Sequence, residues 1–129
     1  MSHTFPVRVF YEDTDMAGIV YYANYLRYIE RARSDWVLQL GIDQLKMRDE
    51  DGIVFAVRRV EADYLYPAKF DDRLTVHTET RAVTGARLIM HQEIRRDEEL
   101  LFQAEVTIVC VSLSGHPARL PANIRLQLH

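Results

Sequence analysis

Three carboxylates, Glu12, Asp13 and Asp15, stand within one short stretch, Tyr11 to Gly18, and a helical hydrophobic period begins a few residues later at Tyr22. A helix start carries unpaired backbone N–H groups and the positive end of the macrodipole, a place where a developing oxyanion can be held. A carboxylate beside it can serve as general base or nucleophile. By spacing alone the same acids could equally do no more than cap the helix, and spacing leaves that choice open. Other chemistries find less support. The five histidines at positions 3, 77, 91, 116 and 129 and the single Cys110 show no metal-ligand spacing. No Gly-rich phosphate loop, Ser-centred elbow or Cys/His pairing occurs. Cys110 fits an inward strand position, where a thiol behaves as a small hydrophobe. Arg58-Arg59 could meet a phosphate or the acids of a second chain, although an ordinary ion pair explains it as well. His77 and His91 read as surface residues on adjacent strands.

The elements that must position these groups follow from periodicity. Phe5 to Glu12 alternates, with Val7, Val9 and Tyr11 on one face, and reads as a strand that tolerates Pro6 only near its start. Asp13-Thr14-Asp15-Met16-Ala17-Gly18 is a turn. From Tyr22 to Leu40 the period is helical: Tyr22, Leu26, Ile29, Ala32, Trp36 and Leu40 share a face, Arg31 and Asp35 are spaced to pair, Asn24 is a candidate cap and Gly41 a stop. A helical turn capped by Asp43 is expected to reach Arg48. Strand patterns then occupy Ile53 to Tyr66, Arg73 to Val83, Ala86 to Arg96 and Leu100 to Ser112, with a short further strand expected after Pro121. Tight turns between these strands force antiparallel neighbours. One helix about 28 Å long and strands of about 36 Å suit a curved sheet wrapped around a central helix. Such a sheet leaves an edge, which dimerisation would cover.

At 129 residues there is room for one domain, and 48% apolar content supplies its core. The net charge is −3, and the first sixty residues hold eight basic and nine acidic side chains, so no basic face points to nucleic acid. No secretory signal and no run long enough to span a membrane is readable, so a reducing cytoplasmic setting is the expectation. Histidine and cysteine spacing gives no reason to expect a metal.

Tyr11-Glu12-Asp13-Thr14-Asp15-x-x-Gly18-x-Val20-Tyr21-x-x-Asn24-Tyr25, followed by Glu30-Arg31-Ala32-Arg33, resembles the hotdog-fold acyl-CoA thioesterases. The likeness extends through Phe55 to Arg59, Tyr64 to Pro67, Asp71-Asp72 and Val109 to Val111, and is nearest to the hydroxybenzoyl-CoA thioesterase family and its branch associated with the Tol-Pal envelope system. The resemblance implies an α+β hotdog domain over residues 1–129, a long helix wrapped by a curved antiparallel five-stranded sheet. It also implies a homodimer, with pairing into tetramers left open, and active sites at the interface of the pair. The family's catalytic carboxylate falls on Asp15 and its carbonyl-polarising amide on the backbone N–H of Tyr22. Gly18 and Val20 of the same segment, with Arg58 and Arg87, are the candidate substrate-binding residues. No cofactor is expected, because coenzyme A is part of the substrate; an acyl carrier protein is an alternative carrier. Tyr22 stands where many members of the envelope-associated branch have histidine, and the Thr84 to Arg87 turn, even with Arg81, is less basic than in the hydroxybenzoyl-CoA enzymes. Both departures leave the acyl group, aromatic or short aliphatic, open. A non-catalytic scaffold binding an acyl carrier protein or an envelope complex is the alternative function, and a cystatin-like cone the alternative fold.

Overall fold

The computed structural model describes residues 2–128. Strand β1 (Ser2–Arg8) leads through a 3-10 turn (Tyr11–Asp13) to helix α1 (Tyr22–Gln39), then a one-turn helix α2 (Gln44–Lys46). Strands β2 (Ile53–Tyr64), β3 (Arg73–Val83), β4 (Arg87–Arg96) and β5 (Glu99–Ser112) follow, closed by a two-residue strand β6 (Pro117–Ala118) and helix α3 (Ala122–Leu128). All pairings are antiparallel and the order is β1-β3-β4-β5-β2, with β6 on β5. The sheet thus has six strands where five were expected, the sixth being the short return at Pro117.

The inner sheet face is the one the alternation predicts. Leu74, Val76 and Thr78 of β3, Leu88, Met90 and Ile94 of β4, and Phe102, Ala104, Val106, Ile108 and Cys110 of β5 are all buried. A bulge between Ile94 and Arg95 shifts the β4–β5 register, so Leu101 is buried too and its carbonyl accepts from both Leu65 and Tyr66 N–H.

The stripe of α1 differs from expectation. Tyr25, Tyr28, Ile29, Ala32, Trp36 and Val37 are buried, whereas Tyr22 is 60% exposed and Leu26 is at the surface. The core face is rotated because Tyr25 stacks on Phe102 of β5 and meets Tyr64 of β2 edge-on, leaving Tyr22 to touch Tyr64 from the surface side. Asp35 does not pair with Arg31. It is taken by His3 at 2.9 Å, with Gln39 also donating to it, while Arg31 lies over the Tyr28 ring.

Three boundaries also move. The chain leaves β1 at Arg8 and tightens into the 3-10 turn at Tyr11, because the Asp13 carboxylate accepts from Phe10 N–H. Pro6 sits inside β1 and is tolerated there because β1 is an edge strand. The segment after Pro121 is helical, since Ile124 and Leu128, one turn apart, are its buried residues. Asp43 caps α2 as expected, accepting from Lys46 N–H.

Candidate active site

The turn before α1 is built by its own acids. Thr14 bridges to Val20, Asp15 N–H donates to Ile19 O, and Gly18 N–H returns to Asp15 O. Gly18 has φ +81°, a conformation that side chains strain to adopt. The Asp15 carboxylate accepts from Ala17 N–H at 2.9 Å through Oδ1, which fixes its direction and leaves Oδ2 without a partner among the described residues. The side chain is at the surface of the single chain. Asp13 is the structural acid of the group. It is buried, and besides accepting from Phe10 with its carboxylate it takes Tyr21 N–H and the Asn24 amide on its carbonyl. Asn24 therefore does not cap the helix: it lies in the first turn, ties back to Asp13, and accepts from Arg27 through Oδ1.

That leaves the helix start open. The residue preceding α1 is Tyr21, whose side chain makes no cap hydrogen bond, and no hydrogen-bond partner for Tyr22 N–H occurs among the described residues. Helices normally close this position with Ser, Thr, Asp or Asn. Here the orphan donor and the macrodipole end stand four residues beyond a glycine turn that holds Asp15, so acid and donor are set by one rigid segment.

Beside it is a cleft of about 290 Å³ lined by Ile19, Val20, Tyr22, Tyr25, Tyr64, Leu65, Tyr66 and Pro67. Tyr64 reaches from the end of β2 to donate to Tyr22 O at 3.2 Å, and Tyr25 Oη accepts from Ala68 N–H. Burial pushes the Tyr25 and Tyr64 phenols up, so both remain protonated donors at neutral pH. Burial, then the neighbouring Asp13 carboxylate, raises Tyr28 as well. Tyr64 to Pro67 line the cleft because β2 ends opposite the start of α1, a tertiary relation that periodicity does not contain.

Among the sequence candidates, Asp15, Gly18, Val20 and Tyr22 share this segment. Arg58 and Arg87 lie elsewhere in the chain. Arg58 is exposed at the bulge in the middle of β2, the free edge of the sheet. Arg87 opens β4 at the 84–87 hairpin, at the far end of β3 from the site, about 33 Å of strand away. Cys110 is buried and its burial pushes the thiol up to about 11, the opposite of an activated nucleophile. No group of three or more His, Cys, Asp or Glu side chains able to hold a metal occurs among the described residues. Nor is any described helix long and apolar enough to cross a membrane.

A helix wrapped by an antiparallel sheet, with a carboxylate turn opening onto an uncapped helix start, defines a class. The family model of the thioesterase-like superfamily matches residues 9–128, and the chain belongs to that superfamily. It is 39% identical over 127 residues to the acyl-CoA thioesterase YbgC of Haemophilus influenzae, covering 98% of this chain and 93% of the relative. The acyl-CoA thioester hydrolase YbgC of Escherichia coli O157:H7 is 40% identical over 121 residues, covering 92% and 90%. A solved probable thioesterase from Bartonella henselae superposes with a TM-score of 0.89 at 36% identity, covering 94% of this chain and all of that one. A 4-hydroxybenzoyl-CoA thioesterase complexed with 4-hydroxybenzoyl-CoA shares the fold, with a TM-score of 0.93 over 99% of each chain at 23% identity. The fold is the hotdog fold.

Proposed function

We propose that this protein hydrolyses acyl-CoA thioesters to a carboxylic acid and free coenzyme A. The observation that carries the proposal is the pairing of a turn-held carboxylate, Asp15, with a helix whose first N–H, that of Tyr22, is left without a cap. Membership of the superfamily and two relatives named acyl-CoA thioesterase or thioester hydrolase support it. The thioester carbonyl oxygen accepts from Tyr22 N–H, where the helix end stabilises the charge that develops as the carbonyl carbon becomes tetrahedral. Asp15, through its free Oδ2, either attacks that carbon, giving a mixed anhydride that water hydrolyses once coenzyme A has left, or takes a proton from the attacking water. Coenzyme A then leaves as a thiolate, which needs no general acid because thiols titrate near pH ~8.5. No cofactor takes part.

The working unit we propose is a homodimer joined along β2. The outer edge of β1 carries Pro6, whereas that of β2, though bulged at Arg58, has no proline and is flanked by exposed apolar Val57 and Val60, with Leu26 of α1 beside them. Antiparallel pairing of two β2 edges would run one strand's Tyr64 end toward the other's Ile53 end, so each cleft beside Tyr22 would be completed by the second copy. Thiol release from a panel of aromatic, short aliphatic and long aliphatic acyl-CoAs tests the activity. Turnover of at least one class is expected, and inertness toward all of them would overturn it.

A further inference from the structure

The seam between α1 and β2 continues past the cleft. A second recess of about 300 Å³ is lined by Leu26, Ile29, Val57 and Val60, and a third of about 150 Å³ has Val37, Phe55, Leu88, Met90 and Ile108 as its apolar walls. The third is comparable to cavities that accept one benzene-sized body. Arg33, with Glu30 and Val57, lines both recesses. Its guanidinium is half-buried; burial lowers its affinity for the proton, and the charge of Glu30 nearby partly offsets this. Its one hydrogen bond among the described residues is Nη1 to the Gln92 amide oxygen at 2.9 Å. Gln92, fully buried, is locked in that orientation because its Nε2 donates to Ile29 O and Thr78 Oγ. The helical neighbour able to neutralise Arg33 is Glu30, three residues earlier. Its carboxylate instead accepts from Ser34 at 2.7 Å, and no ion pair joins it to Arg33 among the described residues.

A guanidinium carries five N–H donors, and this half-buried one spends a single donor on a neutral partner, which leaves its remaining donors open to an anion at the mouth of the recess. We propose that Arg33 and the apolar recess beneath it form a carboxylate-binding site for small amphipathic acids, the carboxylate forked on Arg33 and the apolar body over Leu88, Met90 and Ile108. The site rests on geometry alone. Its link to turnover rests on the hydrolase reading, because a carboxylic acid is what such an enzyme releases. The far carboxylate of a long dicarboxylic acyl group is the other source of the same chemistry, since Tyr22 to Arg33 spans about 16 Å of helix.

Calorimetric titration of the wild-type protein with benzoate and with hexanoate tests the site independently of catalysis. Saturable binding is expected, weakened at least about tenfold in Arg33→Gln and partly kept in Arg33→Lys, which retains the charge but not the fork. Circular dichroism melts establish that each variant is folded; if Arg33→Gln does not fold, Arg33→Lys carries the comparison, and binding unchanged in it overturns the proposal. No binding to wild type, as when a second copy's own carboxylate occupies Arg33, overturns it too, as does equal binding to Arg33→Gln. Comparing dodecanedioyl-CoA with dodecanoyl-CoA then separates the sources. An Arg33-dependent preference for the former assigns the site to the acyl terminus, and none assigns it to free acids.

Discussion

At the scale of single residues, the donor at the helix start is a main-chain group, and a substitution can remove it cleanly. Tyr22 is the first residue of α1, and Tyr21 before it has φ −63° and ψ 131°, the extended conformation that a following proline requires. Proline is accepted at that helical position because its missing N–H had no helical partner anyway. Tyr22→Pro should therefore fold, and relative to a Tyr22→Ala control its kcat should fall roughly 10²–10³-fold, the value of one oxyanion donor. Equal rates in the two variants would remove the amide from the mechanism. Tyr28 provides a test of packing. Its hydroxyl is buried beside the Asp13 carboxylate, outside regular hydrogen-bond geometry among the described residues. Tyr28→Phe should leave stability unchanged or raise it by up to about 1 kcal/mol, because a buried polar group without a well-formed hydrogen bond is removed with no loss of shape. A lower midpoint in denaturant would show that the hydroxyl is bonded.

At the scale of elements, the outer face of β4 carries a small network whose pH dependence has a definite sign. Partial burial acts to raise the Glu93 carboxyl, but His91 at 3.0 Å and Arg95 at 2.8 Å outweigh it and hold it below the ordinary carboxylate range. A depressed folded-state value stabilises the fold above the unfolded value, about pH 4.3, and that contribution is lost as pH falls through the folded one. Glu93→Gln should thus cost up to about 1 kcal/mol at pH 7, with the gap from wild type closing at acid pH in urea titrations. A gap independent of pH would contradict this. The strands themselves were legible because one face of each meets α1, so alternation such as Leu74, Val76, Thr78 survives in the sequence. The position of the acid turn was equally legible, since Asp13 to Gly18 combines turn chemistry with a helix start. The rotation of α1 was not, because Tyr22, Tyr25 and Tyr28 make more than one face of the helix apolar enough, and packing of Tyr25 on Phe102 and Tyr64 chooses between them. Nor was the α3 helix, where Ile124, Leu126 and Leu128 alternate as in a strand while Ile124 and Leu128 also stand one helical turn apart. Tyr64 beside Tyr22, and Arg33 against Gln92, are contacts between residues 42 and 59 positions apart and leave no local signal.

At the scale of the whole molecule, exposed apolar groups follow the seam between α1 and β2. Val57 and Val60 on the β2 edge share a recess with Leu26, and Tyr22 and Tyr64 share the cleft, a grouping expected of an interface. If that edge joins two copies, a charge there must be desolvated on pairing. Val60→Lys should convert a dimer to a monomer in light scattering and lower thioesterase activity with it; an undisturbed dimer would place the interface elsewhere. The whole account converges on Asp15, whose carboxylate, unlike the buried one of Asp13, is held at the surface by the turn that leads into the uncapped helix. The measurement that tests it most directly is kcat for thiol release by Asp15→Asn, with the thermal midpoint taken alongside. A fall of at least about 10²-fold with an unshifted midpoint is predicted, and turnover within a few-fold of wild type would contradict it.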